Sequence, residues 1–401
     1  MRTDTRLIRY PAERALEDAA FDQDTVPTRI FTVLLPLWRV EVRSTVTEGE
    51  PYQLIDRYLE RGIAEAGLQT TAELAAFFAI EEKLVDRALR SLAAIGHLAE
   101  SGGRFTLTTL GAASVRDQVR YVVTAGDRRR LYFDAFGSRP LTRPYYHSRT
   151  VTLLPEDRLA AALDSPGGSK FLRLLSPYPF RREALTELAG NPERDHFNLP
   201  TRMDGPESVA EDRVYLPLYL VRAVQDGKRV RHLAYTQAGV EPDLDVTALC
   251  EQSPDVLGLL ETEDRIARTE IDWMKDWLSE RDLTTAKPTL DEHGAWRVTL
   301  PGSAFTKDGP LPLRKLGSFV VRGKNFFHVW CTDERVRRQS LLLRVDAYLG
   351  ARERTPADVH ERIARISRQL ELGAMNTATL YDLAMKAGMS ALAAQLTQLD
   401  R

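Results

Sequence analysis

The spacing of apolar side chains changes several times along the chain, and each change predicts a different kind of element. Residues 28–46 are rich in β-branched side chains and alternate apolar with polar positions after Pro36. This period of two predicts one or two strands, with an edge or a break at the proline. The first 27 residues are polar and charged, and we expect an arm that packs weakly or late. Residues 1–50 are therefore predicted to form an N-terminal arm and strands.

From residue 51 the apolar period lengthens to three and four residues, which is typical of an amphipathic helix. Such a helix is predicted over 51–66 and ends at Gly67, because glycine easily adopts the conformation that closes a helix. Two threonines, at 70 and 71, precede Glu73 in a capping-box pattern that predicts the start of a second, short helix. A third helix is predicted over about 81–92.

A hairpin is predicted after the third helix. The sequence Ser101-Gly102-Gly103-Arg104 supplies the residues of a tight turn between two short strands. Three helices and a hairpin in this order resemble the winged-helix superfamily over residues 51–118. Four stretches of the sequence carry the resemblance: 74–80, 84–89, 94–98 and 103–111.

The resemblance implies duplex DNA as a partner. In DNA-binding members of the superfamily the third helix enters the major groove and the hairpin touches phosphate. The corresponding basic residues of this chain are Lys83, Arg87 and Arg90 on the third helix and Arg104 on the hairpin. The charges argue partly against this assignment, because 51–118 holds nine acidic and seven basic residues and acids oppose binding to phosphates.

The same order of elements is also similar to the N-terminal dimerisation domain of small-molecule O-methyltransferases, a winged helix that binds no DNA. Those enzymes continue into a nucleotide-type fold with a glycine-rich cofactor loop, whereas this chain contains no G-x-G sequence. A methyltransferase is therefore excluded. The alternative that the winged helix contacts protein instead of DNA remains.

A basic segment with interleaved aromatic residues follows at 119–149. It holds seven arginines against two acidic residues, a pattern typical of a surface that tracks a nucleic-acid backbone and stacks bases. We place Arg128, Arg129 and Arg130 in this candidate surface and expect it to carry most of the non-specific affinity for DNA. The alternative is a sheet with an aromatic inner face and a solvated outer face.

The remaining chain mixes hairpins and helices. We predict a mixed α/β region over 119–245, with a hairpin turn at Asp226-Gly227, and a helical region with a second hairpin over 246–401. A helix over 266–278 places Trp273 and Trp277 on one stripe, in the core or at an interface between two copies. This pattern indicates an α+β protein rather than a regular series of βαβ units.

Composition narrows the class of protein. The chain has 401 residues, a net charge of −2, 43% hydrophobic residues and 28% charged residues. These values exclude a polycation that binds nucleic acid along its whole length and a disordered acidic chain. Two cysteines exclude a disulfide framework, and the absence of a long apolar run excludes a signal peptide and a membrane span. We therefore expect a cytoplasmic protein.

Catalytic and metal-binding motifs are weak. The chain has no G-x-S-x-G sequence and no paired histidines at ligand spacing, and its glycine-lysine stretch at 166–170 departs from a phosphate-binding loop. We predict no catalytic residue, metal ion or cofactor. The favoured function is a transcriptional regulator whose C-terminal part senses a ligand or forms an oligomer. A non-catalytic subunit of a nucleic-acid-processing or defence assembly is the alternative, and an enzyme built from residues distant in sequence is the third.

Overall fold

The computed structural model describes residues 7–160, 171–226, 228–269, 271–306, 308–351 and 354–399. The glycine-lysine stretch at 166–170 and Gly227 of the predicted hairpin turn lie outside these residues. The protein is α+β, as predicted. The helices of the described chain are α1 (Ala12–Phe21), α2 (Leu54–Ala66), α3 (Thr71–Phe78), α4 (Glu82–Ala94), α5 (Thr109–Asp117), α6 (Glu183–Ala189), α7 (Leu244–Gln252), α8 (Pro254–Ala267), α9 (Trp273–Ser279), α10 (Glu334–Leu349), α11 (Pro356–Gln369), α12 (Thr377–Lys386) and α13 (Ser390–Leu399).

The strands form three sheets. Within the described residues they are β1 (Val26–Glu50), β2 (Leu98–Ser101), β3 (Arg104–Leu107), β4 (Arg120–Asp134), β5 (Leu154–Pro155), β6 (Leu172–Arg173), β7 (Arg202–Gln225), β8 (Arg229–Tyr235), β9 (Pro288–Leu290), β10 (Trp296–Thr299), β11 (Phe319–Arg322) and β12 (Asn325–Trp330). The largest sheet has the path β4-β1-β7-β5, with β8 paired to β7 and β6 to β1. The others are β11-β12-β10-β9 and the pair β2-β3.

The chain divides into two compact units. Unit 1 consists of Met1–Pro36, Arg149–Leu175 and Tyr215–Arg401, and unit 2 consists of Leu37–Ser148 and Ser176–Val214. Two of the boundaries fall inside the long strands β1 and β7, the first of them at Pro36. Unit 2 contains all of the predicted segment 51–118.

Unit 2 contains the three helices and the hairpin in the predicted order. Gly67 ends α2 in the left-handed conformation, with φ 67°. Thr70 and Glu73 form the capping box that begins α3, with both reciprocal hydrogen bonds present. The helices and the hairpin share a core of fully buried apolar side chains, including Leu59, Leu74, Val85, Leu89 and Phe105. The local signals in the sequence therefore predicted these elements correctly.

A second core of unit 2 lies on the sheet formed by β4 and the second part of β1. The two strands pair antiparallel from Leu37 opposite Asp134 to Glu50 opposite Arg120, with one irregularity near Ser44. Their inward side chains, including Val40 and Phe133, pack against α6 and the preceding Phe180. Residues 120–134 of the basic segment thus form one long strand of this sheet.

The N-terminal residues of unit 1 are not a weakly packed arm. Residues 12–21 form α1, and its Leu16 and Ala19 are completely buried. They pack in a core with Tyr235 and Phe326, and the hydroxyl of Tyr235 donates a hydrogen bond of 2.8 Å to Asp18. This helix is not evident from the polar composition of the segment, because only one narrow stripe of its surface is apolar.

The predicted helix over 266–278 is two helices. The structure ends α8 at Ala267 and begins α9 at Trp273, and Ile266 is 46% exposed. Trp273 stacks on the ring of Phe327 with 5.5 Å between centroids, and Trp277 meets the same ring edge-on at 5.1 Å. Both tryptophans therefore pack against the core of unit 1, although helical periodicity placed them on a continuous stripe with Ile266.

The C-terminal part of unit 1 follows the prediction. Strands β11 and β12 form the second hairpin, and four helices, α10 to α13, follow it within the described residues. Among the described helices, none combines the length and the apolar composition needed to cross a membrane.

Candidate nucleic-acid interface

Helix α4 places its three predicted contact residues on one face. Its Val85, Ala88, Leu89 and Leu92 are buried in the helical core of unit 2. Lys83, Arg87 and Arg90 follow at intervals of four and three residues, so they share the exposed side of the helix. The structure thus brings together the residues that the resemblance assigned to the major groove.

The three basic residues of α4 differ in their partners. The guanidinium of Arg90 forms an ion pair with Asp86 one turn earlier, with 2.9 Å between Nε and Oδ2. Lys83 and Arg87 have no carboxylate within 4 Å among the described residues. Glu81 and Glu82 are exposed at the start of the same helix. Lys83 and Arg87 are therefore the residues of α4 that can meet a phosphate or a base without breaking an ion pair.

The hairpin after α4 presents Arg104. Gly102 and Gly103 occupy its turn with φ of 59° and 77°, values that side chains other than glycine tolerate poorly. Arg104 is exposed at the start of β3. The next residue, Phe105, is buried, and its N–H donates a hydrogen bond of 2.7 Å to Gln69, which fixes the hairpin against the loop before α3.

The three arginines of β4 do not form one surface. Successive side chains of a strand point to opposite faces, so Arg128 and Arg130 share one face and Arg129 lies on the other. Arg128 lies 3.3 Å from Glu41, and Arg129 lies 3.0 Å from Glu48 and 2.7 Å from Asp127. These ion pairs neutralise much of the positive charge that the basic segment carries.

Two of the six aromatic residues of the basic segment are buried in unit 2. Phe133 and Tyr145 are buried, and Phe133 packs on Phe180 with 5.0 Å between ring centroids. Rings held in this way are not available to stack on bases. The geometry favours the alternative of a sheet with an aromatic inner face and a solvated outer face, on which Arg130 is exposed with no carboxylate within 4 Å among the described residues.

The comparisons with known proteins assign no relative. No protein-family model matches this chain, and no match is found among curated proteins or solved structures. The part of the chain that the structure describes also contains no group of three or more His, Cys, Asp or Glu side chains that could hold a metal ion. The assignment of the candidate interface therefore rests on the geometry of this chain.

A buried ionic pair anchors the end of α4, and the sequence analysis missed it. Glu60 of α2 and His97, three residues after α4, are both completely buried, with 2.6 Å between Oε1 and Nδ1. The other ring nitrogen, Nε2, lies 2.6 Å from the backbone carbonyl oxygen of Tyr121. A carbonyl oxygen can only accept, so Nε2 donates to it. An ionised Glu60 carboxylate also only accepts, so Nδ1 donates to it and the ring in such a pair is an imidazolium.

The surroundings of His97 act on its pKa in opposite directions. Burial lowers it, but the hydrogen bond with Glu60, the carbonyl of Tyr121 and the charge of Glu60 together raise the pKa of His97 above its ordinary value of 6.5. Burial also raises the pKa of Asp56 on the same helix, an effect that the charge of Arg120 opposes and that of Glu60 reinforces. The only signal in the sequence is an acidic residue beside the apolar Leu59 and Ile63.

Apolar side chains are exposed beside the candidate interface. Tyr58 of α2 is 46% exposed and Phe77 of α3 is 62% exposed. Their rings join through Phe78, with centroid distances of 6.1 Å to Tyr58 and 4.9 Å to Phe77. We call Tyr58, Phe77 and Phe78 the aromatic cluster. Exposed apolar side chains in contact with one another are typical of a surface that binds another protein.

Proposed function

We propose that unit 2 binds duplex DNA through α4 and the β2–β3 hairpin, and that the protein is a transcriptional regulator. The observation that carries the proposal is the exposure of Lys83 and Arg87, one turn apart on α4 and free of acidic partners among the described residues. An arginine in the major groove can bind guanine through two hydrogen bonds, and a lysine can reach a base or a phosphate.

The acidic residues of α4 set the character of this binding. Glu81 and Glu82 repel phosphates and reduce the salt-dependent attraction that all sequences share. Binding through Lys83 and Arg87 would then depend on base contacts more than on general charge. Unit 1 supplies the larger part of the chain, for sensing a ligand or for oligomerisation.

Replacement of both Lys83 and Arg87 by alanine is expected to weaken binding to duplex DNA. A lost base contact costs about 1–3 kcal/mol, which is roughly a tenfold to hundredfold rise in Kd. The measurement is fluorescence anisotropy of labelled duplexes selected from a random pool by the wild-type chain, at several salt concentrations.

The matched control is the double variant Arg61→Ala with Arg116→Ala. It removes the same charge from exposed positions of unit 2, where each arginine pairs with a neighbouring carboxylate. Binding by the control should stay within about twofold of the wild type, since lost surface ion pairs change little. Equal weakening in both variants would assign the effect to net charge and contradict groove binding by α4.

A second candidate function is that of a non-catalytic subunit whose three-helix segment contacts protein. The observation in its favour is the aromatic cluster, because exposed rings are enriched at interfaces between proteins. A second copy of the chain is the partner that can be tested directly. DNA binding and protein contact use different residues of unit 2, so their variants separate the two functions.

Replacement of Tyr58 and Phe77 by serine is expected to lower the solution mass if the aromatic cluster joins two copies. Light scattering should give a mass above 45.2 kDa for the wild type and a mass near that value for the variant. Val123→Ser, at a 45% exposed position of unit 2, is the control that should leave the mass unchanged. A wild-type monomer at every concentration would exclude this contact between copies.

A further inference from the structure

Unit 1 contains a cavity of about 460 Å³ whose lining includes three arginines. Strand β1 supplies Arg29, strand β7 supplies Arg222, and Arg268 follows directly after α8. The volume lies within the range of small-molecule sites in proteins. None of these residues belongs to unit 2, so the cavity is independent of the proposed DNA interface.

Two of the three guanidinium groups contact the same carboxylate. Asp264 is buried and lies 3.0 Å from Nε of Arg29 and 2.9 Å from Nη2 of Arg268. Arg222 donates a hydrogen bond of 2.8 Å to the hydroxyl of Thr28 and has no carboxylate within 4 Å among the described residues. The charge of these three arginines therefore exceeds that of Asp264 by two, and burial strengthens the field of Arg29.

Arg29 is the most buried member of the group. Its side chain is 7% exposed, and one of its terminal nitrogens donates a hydrogen bond of 2.6 Å to the backbone carbonyl of Thr28. Its Nε has no aligned hydrogen-bond acceptor, although Asp264 lies close to it. Burial and the charge of Arg222 lower the pKa of the nearby His232 to about 4, against the opposing charges of neighbouring acids, so this imidazole is neutral at neutral pH.

The lining of the cavity is also partly apolar. Leu290 and Trp296 are paired directly across β9 and β10, so their side chains lie on the same face of that hairpin, and both line the cavity. Two acidic residues at the turn, Asp291 and Glu292, also line it but are exposed. Oδ1 of Asp291 already accepts the backbone N–H groups of His293 and Ala295.

We infer that this cavity binds a small molecule that joins a phosphate group to a flat ring, as a nucleotide does. Arg29, Arg222 and Arg268 bind the phosphate, since a guanidinium matches the geometry of two phosphate oxygens. Trp296 offers its ring to the flat part of the ligand. The exposed acids at the rim lie on the solvent side, where water and salt screen their charge.

The experiment is a calorimetric titration of the full chain with AMP, adenosine and inorganic phosphate. AMP is expected to bind more tightly than either fragment. Arg222→Ala and Arg268→Ala should each raise the Kd of AMP about tenfold, because each removes a charged donor to phosphate. Arg268 is 62% exposed in its side chain, so its variant keeps the fold if the Arg222 variant does not.

Arg265→Ala is the matched control, because this arginine is exposed on α8 next to Asp264 and does not line the cavity. It should bind AMP like the wild type, whereas Trp296→Leu should bring the Kd of AMP close to that of inorganic phosphate. No heat with AMP, or equal binding by all four variants, would overturn the site. Equal affinity of the wild type for AMP and inorganic phosphate would overturn the role of Trp296.

Discussion

Replacement of Glu60 by alanine is expected to lower the free energy of unfolding by about 3–5 kcal/mol. The change removes the carboxylate that offsets the desolvation of the His97 charge, so the buried ring loses its proton and its Nδ1 is left without a hydrogen-bond partner beside a cavity. The measurement is urea-induced unfolding, followed together with hydrogen exchange of the α4 amides in unit 2. A loss below about 1 kcal/mol would contradict a charged pair at this position.

The pH dependence of the unfolding free energy distinguishes the contribution of charge from that of packing at the Glu60–His97 pair. The pKa of His97 is raised in the folded chain, so the pair stabilises fully below the ordinary value of 6.5, and this stabilisation is lost as pH rises through the folded pKa. Glu60→Gln can still donate a hydrogen bond to Nδ1 of a neutral imidazole. The wild type should therefore lose stability with rising pH over this range, and the Gln variant should show a flatter profile.

Replacement of Gly111 by alanine is expected to cost about 3 kcal/mol of folding free energy. A Cβ atom at Gly111 would overlap the carbonyl oxygen of His97, and it would lie 3.0 Å from the carbonyl carbon. That carbonyl also accepts the N–H of Thr108, the N-terminal cap of α5, so it cannot move away without loosening the helix. Thermal unfolding of the full chain, with hydrogen exchange over α5, measures the effect.

The control for Gly111 is the same substitution at Gly258. This glycine lies within α8, is exposed, and a Cβ atom there would have no neighbour within 4 Å. Gly258→Ala should therefore raise stability by about 0.5–1 kcal/mol, because alanine loses less backbone entropy than glycine in a helix. If Gly111→Ala and Gly258→Ala both raised or both lowered the stability, the contact between α5 and His97 would be contradicted.

Local signals predicted much of unit 2. The glycine at 67, the capping box at Thr70 and the turn at Gly102-Gly103 each act over fewer than five residues, and the structure has all three. The hairpin between β7 and β8 was predicted from the same kind of signal. Such features depend on backbone geometry within a short segment, so a single sequence is enough to identify them.

Features that depend on distant partners were not predictable in the same way. The apolar stripe of α1 is too narrow to indicate that the helix is buried. The residues that cover it, Tyr235 and Phe326, lie more than 200 residues later in the chain. The charge of β4 was overestimated because Glu41 and Glu48 pair with its arginines from another strand. For the candidate interface, helical spacing predicted the exposed face of α4 correctly but did not reveal that Arg90 is paired with Asp86.

The partners of α1 also determine when this helix can complete its contacts during synthesis. Tyr10 donates a hydrogen bond to the carbonyl of Thr236, Ser318 donates one to Glu17, and Arg368 donates one to the carbonyl of Phe21. At roughly 5–20 residues per second, translation from α1 to Arg368 takes roughly 20–70 s. The core that buries Leu16 and Ala19 is incomplete until Phe326 has been synthesised, so nascent unit 1 exposes an apolar stripe after unit 2, which ends at Val214, is already complete as a chain segment.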